Sequence, residues 1–459
     1  MHLFAPEDPR PIHFMGIAGA GMSALALVAL RRGVTVTGCD TDPDGAQDLT
    51  HRGAAIAAGH DASHVNGCRA VVYTAAVRPD HDELEAARAA GLPVIGRAEA
   101  LAELVRGRTV VGVAGTHGKT TTTAMLADAL AAGGDDPTAL VGGRVAAWEG
   151  NARIGADELF VVEADEYDQS MLRLDPAVAL VSSVEADHLE CYGSVEALEA
   201  AFVEFAGRAG RALIGADDAG ASRVARALDV PTWRVGTAPH ADIGLTAVRR
   251  ESDVNAARVA LPDGRSVELS LRVPGLHNLR NAAMALGAVL ALGRDVEAAV
   301  DGLARFTGVG RRFDVVGTVG GVTVVDDYAH HPSEVAATLA AARQRYPSRR
   351  IVAAFQPHLY SRTRELGEAM GIALAMADLS LVTDVYAARE HPIPGVSGKQ
   401  VVRAAKQAGA AVEWVPERQQ LVSRLAEVVA DGDVVLTLGA GDITEAARAL
   451  LERLAGRAA

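Results

Sequence analysis

The chain has 459 residues, enough for roughly two to four domains that each bury a core. Its net charge of −14 and lack of any long basic run exclude a nucleic-acid binder that works by neutralising phosphates, and no apolar run reaches the roughly 18 residues of a membrane span. The 49% hydrophobic and 22% charged content is that of a globular protein, with the acidity favouring dispersion in water. The opening Met1-His2-Leu3-Phe4-Ala5-Pro6-Glu7-Asp8 lacks the basic and apolar regions of a signal peptide. Three widely spaced cysteines, Cys39, Cys68 and Cys191, form no metal or redox motif. Both features point to a reducing cytoplasm, with the cysteines as small apolar fillers. The sequence leaves monomer and homodimer open.

Ile12-His13-Phe14-Met15, then Gly16-Ile17-Ala18-Gly19-Ala20-Gly21, then Met22-Ser23-Ala24-Leu25 read as strand, tight glycine turn and helix. Val34–Gly38 is the next strand, ending at Asp40, and Val71–Ala75 is a further one. Short strands alternating with Ala/Leu-rich helices predict a parallel sheet covered on both faces. The glycine spacing is GxxGxG and not the GxGxxG of dinucleotide folds. Asp40, 19 residues after Gly21, stands near where such folds place a ribose-binding acid. A nucleotide diphosphate site and a plain packing turn both satisfy this pattern, and NAD and a nucleotide-sugar both remain open.

The apolar run Val110–Ala114 leads into Gly115-Thr116-His117-Gly118-Lys119-Thr120-Thr121 and a helix from Thr122 onward. Glycines let backbone N–H groups approach phosphate oxygens, the helix start adds partial positive charge, Lys119 adds a full charge and Thr120 can ligand Mg²⁺. The pattern departs from the common phosphate loop, because Val113 stands where that loop has its first glycine. Yet only three of the chain's 44 basic residues are lysine, and one of them sits between Gly118 and Thr120. Strands follow at Leu159–Glu163, Val178–Ser182 and Arg211–Gly215. Glu163-Ala164-Asp165-Glu166 ends the first of these, which places Glu163 to hold Mg²⁺, with Asp165 and Glu166 as weaker candidates. Asp187-His188 follows the second; from the residues alone His188 reads as a capping or hydrogen-bonded histidine. Val/Leu alternation around Pro262-Asp263-Gly264 predicts a β-hairpin, and Asn278–Leu292 a helix. Asn278 suits helix capping and an adenine edge equally.

In the last third, Gly310-Arg311-Arg312-Phe313 offers paired guanidinium groups at a domain junction, a fork able to reach a γ-phosphate on domain closure. Strands are predicted at Val322–Asp327, Ile351–Phe355, Leu379–Thr383 and Val434–Leu438. Each precedes a polar cluster: Asp326-Asp327-Tyr328-Ala329-His330-His331-Pro332, Gln356-Pro357-His358-Leu359-Tyr360-Ser361-Arg362, Asp384-Val385-Tyr386-Ala387-Ala388-Arg389-Glu390 and Gly439-Ala440-Gly441-Asp442. Together they predict a substrate site along one edge of a third sheet.

These motifs, in this order from His13 to Asp442, resemble the Mur ligases of bacterial cell-wall synthesis. The resemblance implies an α/β enzyme of three domains, each on a mainly parallel sheet with flanking helices. Residues 1–106 would form a Rossmann-like UDP-sugar domain, 107–313 a phosphate-loop ATPase domain with an extra β-hairpin region, and 314–459 a Rossmann-like amino-acid domain. It implies ATP and Mg²⁺ as cofactors, with UDP-N-acetylmuramate and L-alanine as substrates joined through an acyl phosphate. His13, Gly19, Gly21, Met22, Ser23, Asp40 and Thr74 would serve the UDP-sugar. The Gly115–Thr121 loop, Asn278, Asn281, Arg311, Arg312 and Asp326 would serve the nucleotide, with Lys119 on the β/γ-phosphates. Thr120, Glu163 and His188 would bind Mg²⁺, and Tyr328, His330 and Arg362 would lie near the amino acid, with Lys119, His188, Arg312 and His330 as the catalytic set. Leu359 departs from relatives that carry arginine there. Several sister ligases use a carbamylated lysine in the central domain. No lysine lies between Lys119 and Lys399, so that device is absent here, as in the alanine-adding branch.

Overall fold

The computed structural model describes residues 3–388 and 390–458. Met1, His2, Arg389 and Ala459 lie outside the described residues. Three sheets form, at the places where apolar strand runs alternate with helices.

The first sheet has the order β3-β2-β1-β4-β5, from β1 (Ile12–Met15), β2 (Val36–Asp40), β3 (Ala55–Ala58), β4 (Ala70–Tyr73) and β5 (Val94–Gly96). All its pairings are parallel. The doubly wound order reverses at β1, so the turn after β1 opens at the topological switch point where such sheets bind ligands. Side chains alternate across the sheet. Ile12 and Phe14 join the core under the helix Ala20–Arg31, whereas Met15, Cys39 and Val71 pack on the opposite face with Leu84 and Ala87 of the helix Asp82–Ala89.

The second sheet is built around β6 (Thr109–Ala114), whose neighbours are β9 (Leu159–Glu163) and β10 (Val178–Val181). Beyond β9 lie β7 (Thr138–Val145) and the antiparallel β8 (Gly150–Arg153). Beyond β10 lie β11 (Arg211–Gly215), β12 (Thr232–Gly236) and β13 (Ile243–Arg250). The predicted hairpin is present: β14 (Asn255–Ala260) and β15 (Ser266–Leu271) flank a turn in which Leu261 N–H donates to the Arg265 carbonyl at 2.9 Å.

The third sheet has the order β16-β17-β21-β18-β19-β20: β16 (Asp314–Val319), β17 (Val322–Asp327), β18 (Ile351–Phe355), β19 (Leu379–Val382), β20 (Val412–Trp414) and β21 (Val434–Leu438). Only β16 runs antiparallel.

The chain forms two compact units, one holding the first sheet and most of the second, the other holding the third sheet. The second unit begins at Arg305 and also takes in 247–257 and 269–279, segments expected to belong with the central region. Polar contacts explain this: Gly275 N–H donates to Gln344 Oε1 at 3.1 Å, and Arg345 pairs with Asp253 at 3.0 Å, with Gln344 and Arg345 both on the helix Pro332–Arg345. Within the first unit, the two sheets are tied by Arg32 to Asp157 at 2.9 Å and by Asn151 Nδ2, which donates to Ser23 Oγ at 2.8 Å.

Candidate active site

The predicted loop follows β6 and opens the helix Lys119–Ala132. The strands on either side of β6 hold it in shape. From the β10 side, the Ser183 carbonyl accepts Thr116 N–H at 2.9 Å, Ser183 Oγ accepts His117 N–H at 3.1 Å, and Thr116 Oγ1 accepts Glu185 N–H at 2.9 Å. Gly115 has φ +126° and lies against the Ser182 and Ser183 backbone, and Gly118 has φ +80° with Asn281 Oδ1 2.6 Å from where a methyl would stand. Both positions therefore require glycine on conformation and on space. Asn281 thus stands against the loop, whereas Asn278 donates its amide to the Pro274 carbonyl at 2.7 Å in a helix-start role.

Lys119 Nζ donates to the Gly115 carbonyl at 2.8 Å and lies 2.7 and 2.9 Å from the two Glu166 oxygens. Burial opposes its charge, but the Glu166, Asp165 and Glu163 carboxylates outweigh burial and raise its pKa, so the ammonium stays protonated. Glu166, a weak metal candidate from the sequence, is almost fully buried and is the lysine's partner. From the β9 side, Glu163 Oε1 accepts the Thr120 hydroxyl at 2.9 Å and Oε2 accepts Gly142 N–H at 2.6 Å. Thr121, next along the helix, is buried. A hydroxyl and a carboxylate meeting at the phosphate loop are the hard oxygen donors that Mg²⁺ prefers. His188 adopts φ +53° and caps a short helix; its ring meets the Tyr167 ring edge-on at 5.3 Å, beside the Glu166 segment.

At the first sheet's turn, Ala18 N–H and Asp42 N–H donate to the Asp40 carboxylate at 3.0 and 3.1 Å, so Asp40 pins the glycine turn. Gly19 is the N-cap of the helix Ala20–Arg31, and Thr74 stands just past β4, whose Tyr73 pairs with Met15 at the end of β1. Three of the residues expected at this turn are buried, or face away from its helix. Met22 is buried in the core and packs instead of reaching outward. Ser23 is buried, donating to the Gly19 carbonyl at 3.1 Å and accepting from Asn151. His13 points to the other face of the sheet, away from the helix Ala20–Arg31. Arg97, not among the residues expected here, also stands at this turn: its side chain lies across Gly21, where a methyl would come within 3.0 Å of Cδ. It follows the three-residue β5, too short to announce itself by pattern. The available signal is an arginine directly after Gly96.

In the second unit, the parallel order brings the four polar clusters of the last third to the carboxyl ends of β17, β21, β18 and β19. Gln356 Nε2 donates to Asp442 Oδ1 at 2.7 Å, and the rings of His330 and His358 lie 6.0 Å apart, those of His358 and Tyr386 5.7 Å apart. His330 Nδ1 lies 2.9 Å from the Tyr328 carbonyl, and the buried Arg362 Nη1 is 3.3 Å from His358 Nδ1. Leu359 holds φ +67°, a left-handed strain of the kind that collects at functional sites. His331 caps the helix Pro332–Arg345 in a capping box with Glu334.

The paired arginines both lie over the Tyr328 ring, at 4.9 and 5.1 Å, but take different carboxylate partners. Arg311 Nε lies 3.1 Å from Asp326 Oδ2, and its Nη2 donates to the Gly439 carbonyl at 2.7 Å, whereas Arg312 lies 3.5 Å from Glu334 and over the Tyr328 ring. Asp326 also accepts the hydroxyls of Thr437 at 2.6 Å and Thr444 at 2.8 Å. Arg311 and Asp326 thus hold this end of the sheet together. Burial pushes the neighbouring Asp327 carboxyl up to about 6 against the pull of Arg312 and the Phe313 and Ala329 N–H groups.

A lysine-bearing phosphate loop, a second glycine turn in the same unit and a third sheet edged with polar residues define a three-sheet α/β enzyme that acts with a nucleotide. The chain belongs to the Mur ligase family. Family models match in the same order: "Mur ligase family, catalytic domain" over 11–109, "Mur ligase middle domain" over 113–289 and "Mur ligase, glutamate ligase domain" over 311–441. The chain is 45% identical to the UDP-N-acetylmuramate–L-alanine ligase of Salinibacter ruber, over 97% of this chain and 95% of that one. It is 44% identical to the ligase of the same name from Bordetella pertussis, over 95% and 97%. Among solved structures, the UDP-N-acetylmuramate–alanine ligase of Thermotoga maritima superposes with a TM-score of 0.83 at 30% identity, covering 97% of this chain and 99% of that one. A murein peptide ligase from Psychrobacter arcticus gives 0.74 at 25% identity with the same coverage.

Proposed function

We propose that this protein joins L-alanine to the carboxylate of UDP-N-acetylmuramate, converting ATP to ADP and phosphate, in the cytoplasm and as a step in peptidoglycan precursor synthesis. The observation that carries this reading is the Gly115–Thr121 loop with its charged, carboxylate-held Lys119; the names of full-length relatives at 44–45% identity supply the substrates.

A carboxylate is a poor electrophile, so the γ-phosphoryl group of ATP is transferred to it first. The amine of L-alanine then attacks the acyl phosphate, and the tetrahedral intermediate expels phosphate. The loop N–H groups and Lys119 position the transferring phosphoryl group and offset its charge. Thr120 and Glu163, joined by His188, would hold Mg²⁺, which supplies charge neutralisation at the phosphates when bound. Asp40, Thr74 and Arg97 serve the UDP-sugar at the glycine turn, Arg97 by giving the diphosphate a positive partner. Tyr328, His330 and Arg362 serve the amino acid. His330 is the base: with Nδ1 donating to the Tyr328 carbonyl, Nε2 takes the proton that the amine loses.

Phosphate release, measured with each substrate omitted in turn, is expected only when ATP, UDP-N-acetylmuramate and L-alanine are all present. Release without the UDP-sugar overturns the reading. A tripeptide replacing L-alanine as acceptor would favour instead the activity named for the Psychrobacter arcticus structure. Carboxylate carrying heavy oxygen should pass label to the released phosphate; label confined to the amide and water refutes the acyl phosphate.

A further inference from the structure

On the face of the first sheet away from the glycine-turn helix, five ionisable side chains from four separate stretches converge. His13 comes from β1 and Cys39 from β2. His60 and His64 come from the loop and short helix after β3, and Glu83 from the first turn of the helix Asp82–Ala89. Cys39 and Glu83 are fully buried, and His13 is 1% exposed. His13 Nε2 lies 2.8 Å from Glu83 Oε1 and 3.3 Å from Cys39 Sγ. Cys39 Sγ lies 3.4 Å from Glu83 Oε1, and His64 Nδ1 lies 3.2 Å from the same oxygen. His60 Nδ1 stands 3.1 Å from Cys39 Sγ and 3.3 Å from Glu83 Oε2.

We propose that His13 Nε2, Cys39 Sγ, His64 Nδ1 and a Glu83 oxygen form a closed, four-ligand site for a zinc-type divalent transition metal. These four ligand atoms all lie within 4.8 Å of one another. With metal–sulfur bonds of about 2.3 Å and metal–nitrogen or metal–oxygen bonds of about 2.0–2.1 Å, the edges of a tetrahedron are about 3.3–3.6 Å. Four of the six edges, at 2.8–3.4 Å, are already close to these lengths, and rotation of the His64 side chain adjusts the other two as a metal enters. The donors are one thiolate, two imidazoles and one carboxylate. That set suits zinc or cobalt and not magnesium, and its two negative charges neutralise a divalent ion inside a buried pocket. His13 is already oriented for ligation, because its Nδ1 shares a hydrogen bond of 2.9 Å with the Thr37 hydroxyl, the outer partner that metal-bound histidines characteristically have. His60, with a side chain 20% exposed, is the further partner at the entry side.

Binding replaces the Cys39 thiol proton, which leaves to solvent; no electron is gained or lost. The consequence is mechanical. The Cys39 carbonyl accepts Gly16 N–H at 2.8 Å and Ile17 N–H at 3.2 Å, so a metal on the Cys39 sulfur braces the start of the glycine turn against β2 and the helix Asp82–Ala89. The residues at 13, 39, 64 and 83 share no spacing motif and are brought together by the fold.

The test uses the full chain, purified without added metal, dialysed against chelator and titrated with Co²⁺ and with Zn²⁺ in the absence of ATP. One equivalent of Co²⁺ should bind, giving the sulfur-to-cobalt charge-transfer band and the intense visible bands of a tetrahedral site, and Zn²⁺ should displace it. Cys39→Ser should abolish the charge-transfer band and weaken binding by roughly a hundredfold or more, and Zn²⁺ should raise the Tm of the parent chain but not of the variant. Cys191→Ser should leave all of this unchanged. Should Cys39→Ser fail to fold, His64→Gln, at a side chain 21% exposed, gives the same readout through weakened binding with the thiolate band retained. The proposal is overturned by Co²⁺ spectra without a thiolate band, by binding that survives Cys39→Ser intact, or by a signal lost in Cys191→Ser.

Discussion

Within the first unit the chain builds a glycine turn at the carboxyl end of a central parallel strand twice, and charges the two in opposite ways. After β6 the cation is local: Lys119 is the first residue of the helix, held at 2.7 Å by Glu166 from the end of β9. After β1 the turn has no cation of its own, and the charge arrives from Arg97 beyond β5, lying across Gly21. The first turn has a helix start, a full charge and a Mg²⁺-type oxygen pair within reach of one strand–turn–helix, the demands of phosphoryl transfer. The second has a helix start and a guanidinium that reaches it from another strand, which is enough to hold a diphosphate without reacting on it. Backbone shape says where a phosphate can sit; the source of the charge says what is done to it.

The sharpest way to break this contrast is Lys119→Met. It should lower kcat/KM by roughly a thousandfold or more, as for other charge-stabilising groups in phosphoryl transfer, while UDP-N-acetylmuramate binding measured by calorimetry stays near its original value. Comparable losses in both would mean the two turns are one site. The pH dependence follows from the same contacts. Lys119 gains protonation on folding, so, wherever Glu166 is ionised, its ion pair contributes fully below the ordinary lysine pKa of 10.5 and is lost only as pH rises above it. Stability between about pH 6 and 9 should therefore carry no lysine titration, checked by denaturant midpoints across that range.

Next in size is Gly118→Ala. A left-handed alanine costs about 1–2 kcal/mol, and the methyl would stand 2.6 Å from Asn281 Oδ1. The loop shifts, so kcat/KM should fall by more than about tenfold, with the strained backbone and the displaced Asn281 both contributing. Removing Asn281 as well, in Gly118→Ala/Asn281→Ala, should recover part of the stability loss but not the activity; full recovery would show that only the clash mattered.

How much of this was readable in advance follows the same division. The phosphate loop is contiguous, so its strand, turn, lysine and helix were all legible, as were the ends of β9, β17 and β18, where apolar runs stop at polar clusters. The strands β3, β5 and β20 were not: Ala55–Ala58 is nearly all alanine, and Val94–Gly96 and Val412–Trp414 are three residues each, too short for a period of two to appear. Arg97 was lost with β5. The apolar run of β2 begins at Val34, ahead of the strand itself at Val36, because Val34 still bonds back to Ala29 at the helix end. The pairing of Arg311 with Asp326 was invisible for another reason: Arg311 stands just ahead of β16 and Asp326 lies in β17, and the antiparallel pairing of Asp314 with Asp326 brings them together.

Arg97→Met comes third. Its guanidinium is replaced by an apolar chain of similar length, which on the proposed role withdraws a charged hydrogen bond worth about 1.5–3 kcal/mol from the diphosphate. KM for UDP-N-acetylmuramate should rise roughly tenfold to a hundredfold, with KM for ATP and kcat at saturation nearly unchanged. A kcat effect without a KM effect would place Arg97 with the reacting groups and erase the distinction between the turns.

The smallest effect expected is also the most discriminating, because its sign is opposite to that of Gly118→Ala. Gly21 is the second residue of the helix Ala20–Arg31 and holds ordinary helical φ, so alanine there removes glycine's conformational entropy cost and should stabilise the helix by up to about 1 kcal/mol. The added methyl meets only the flexible end of Arg97, at 3.0 Å from Cδ and 3.1 Å from Nη1, and a side chain of that length can swing aside. Gly21→Ala should therefore keep or raise the Tm while KM for the UDP-sugar increases about two- to threefold as Arg97 is displaced, and in the Arg97→Met background the KM increase should vanish. A stability loss in Gly21→Ala as large as in Gly118→Ala would mean that both turns demand glycine for their backbone, and that the contrast between a local cation and a delivered one is not what separates them.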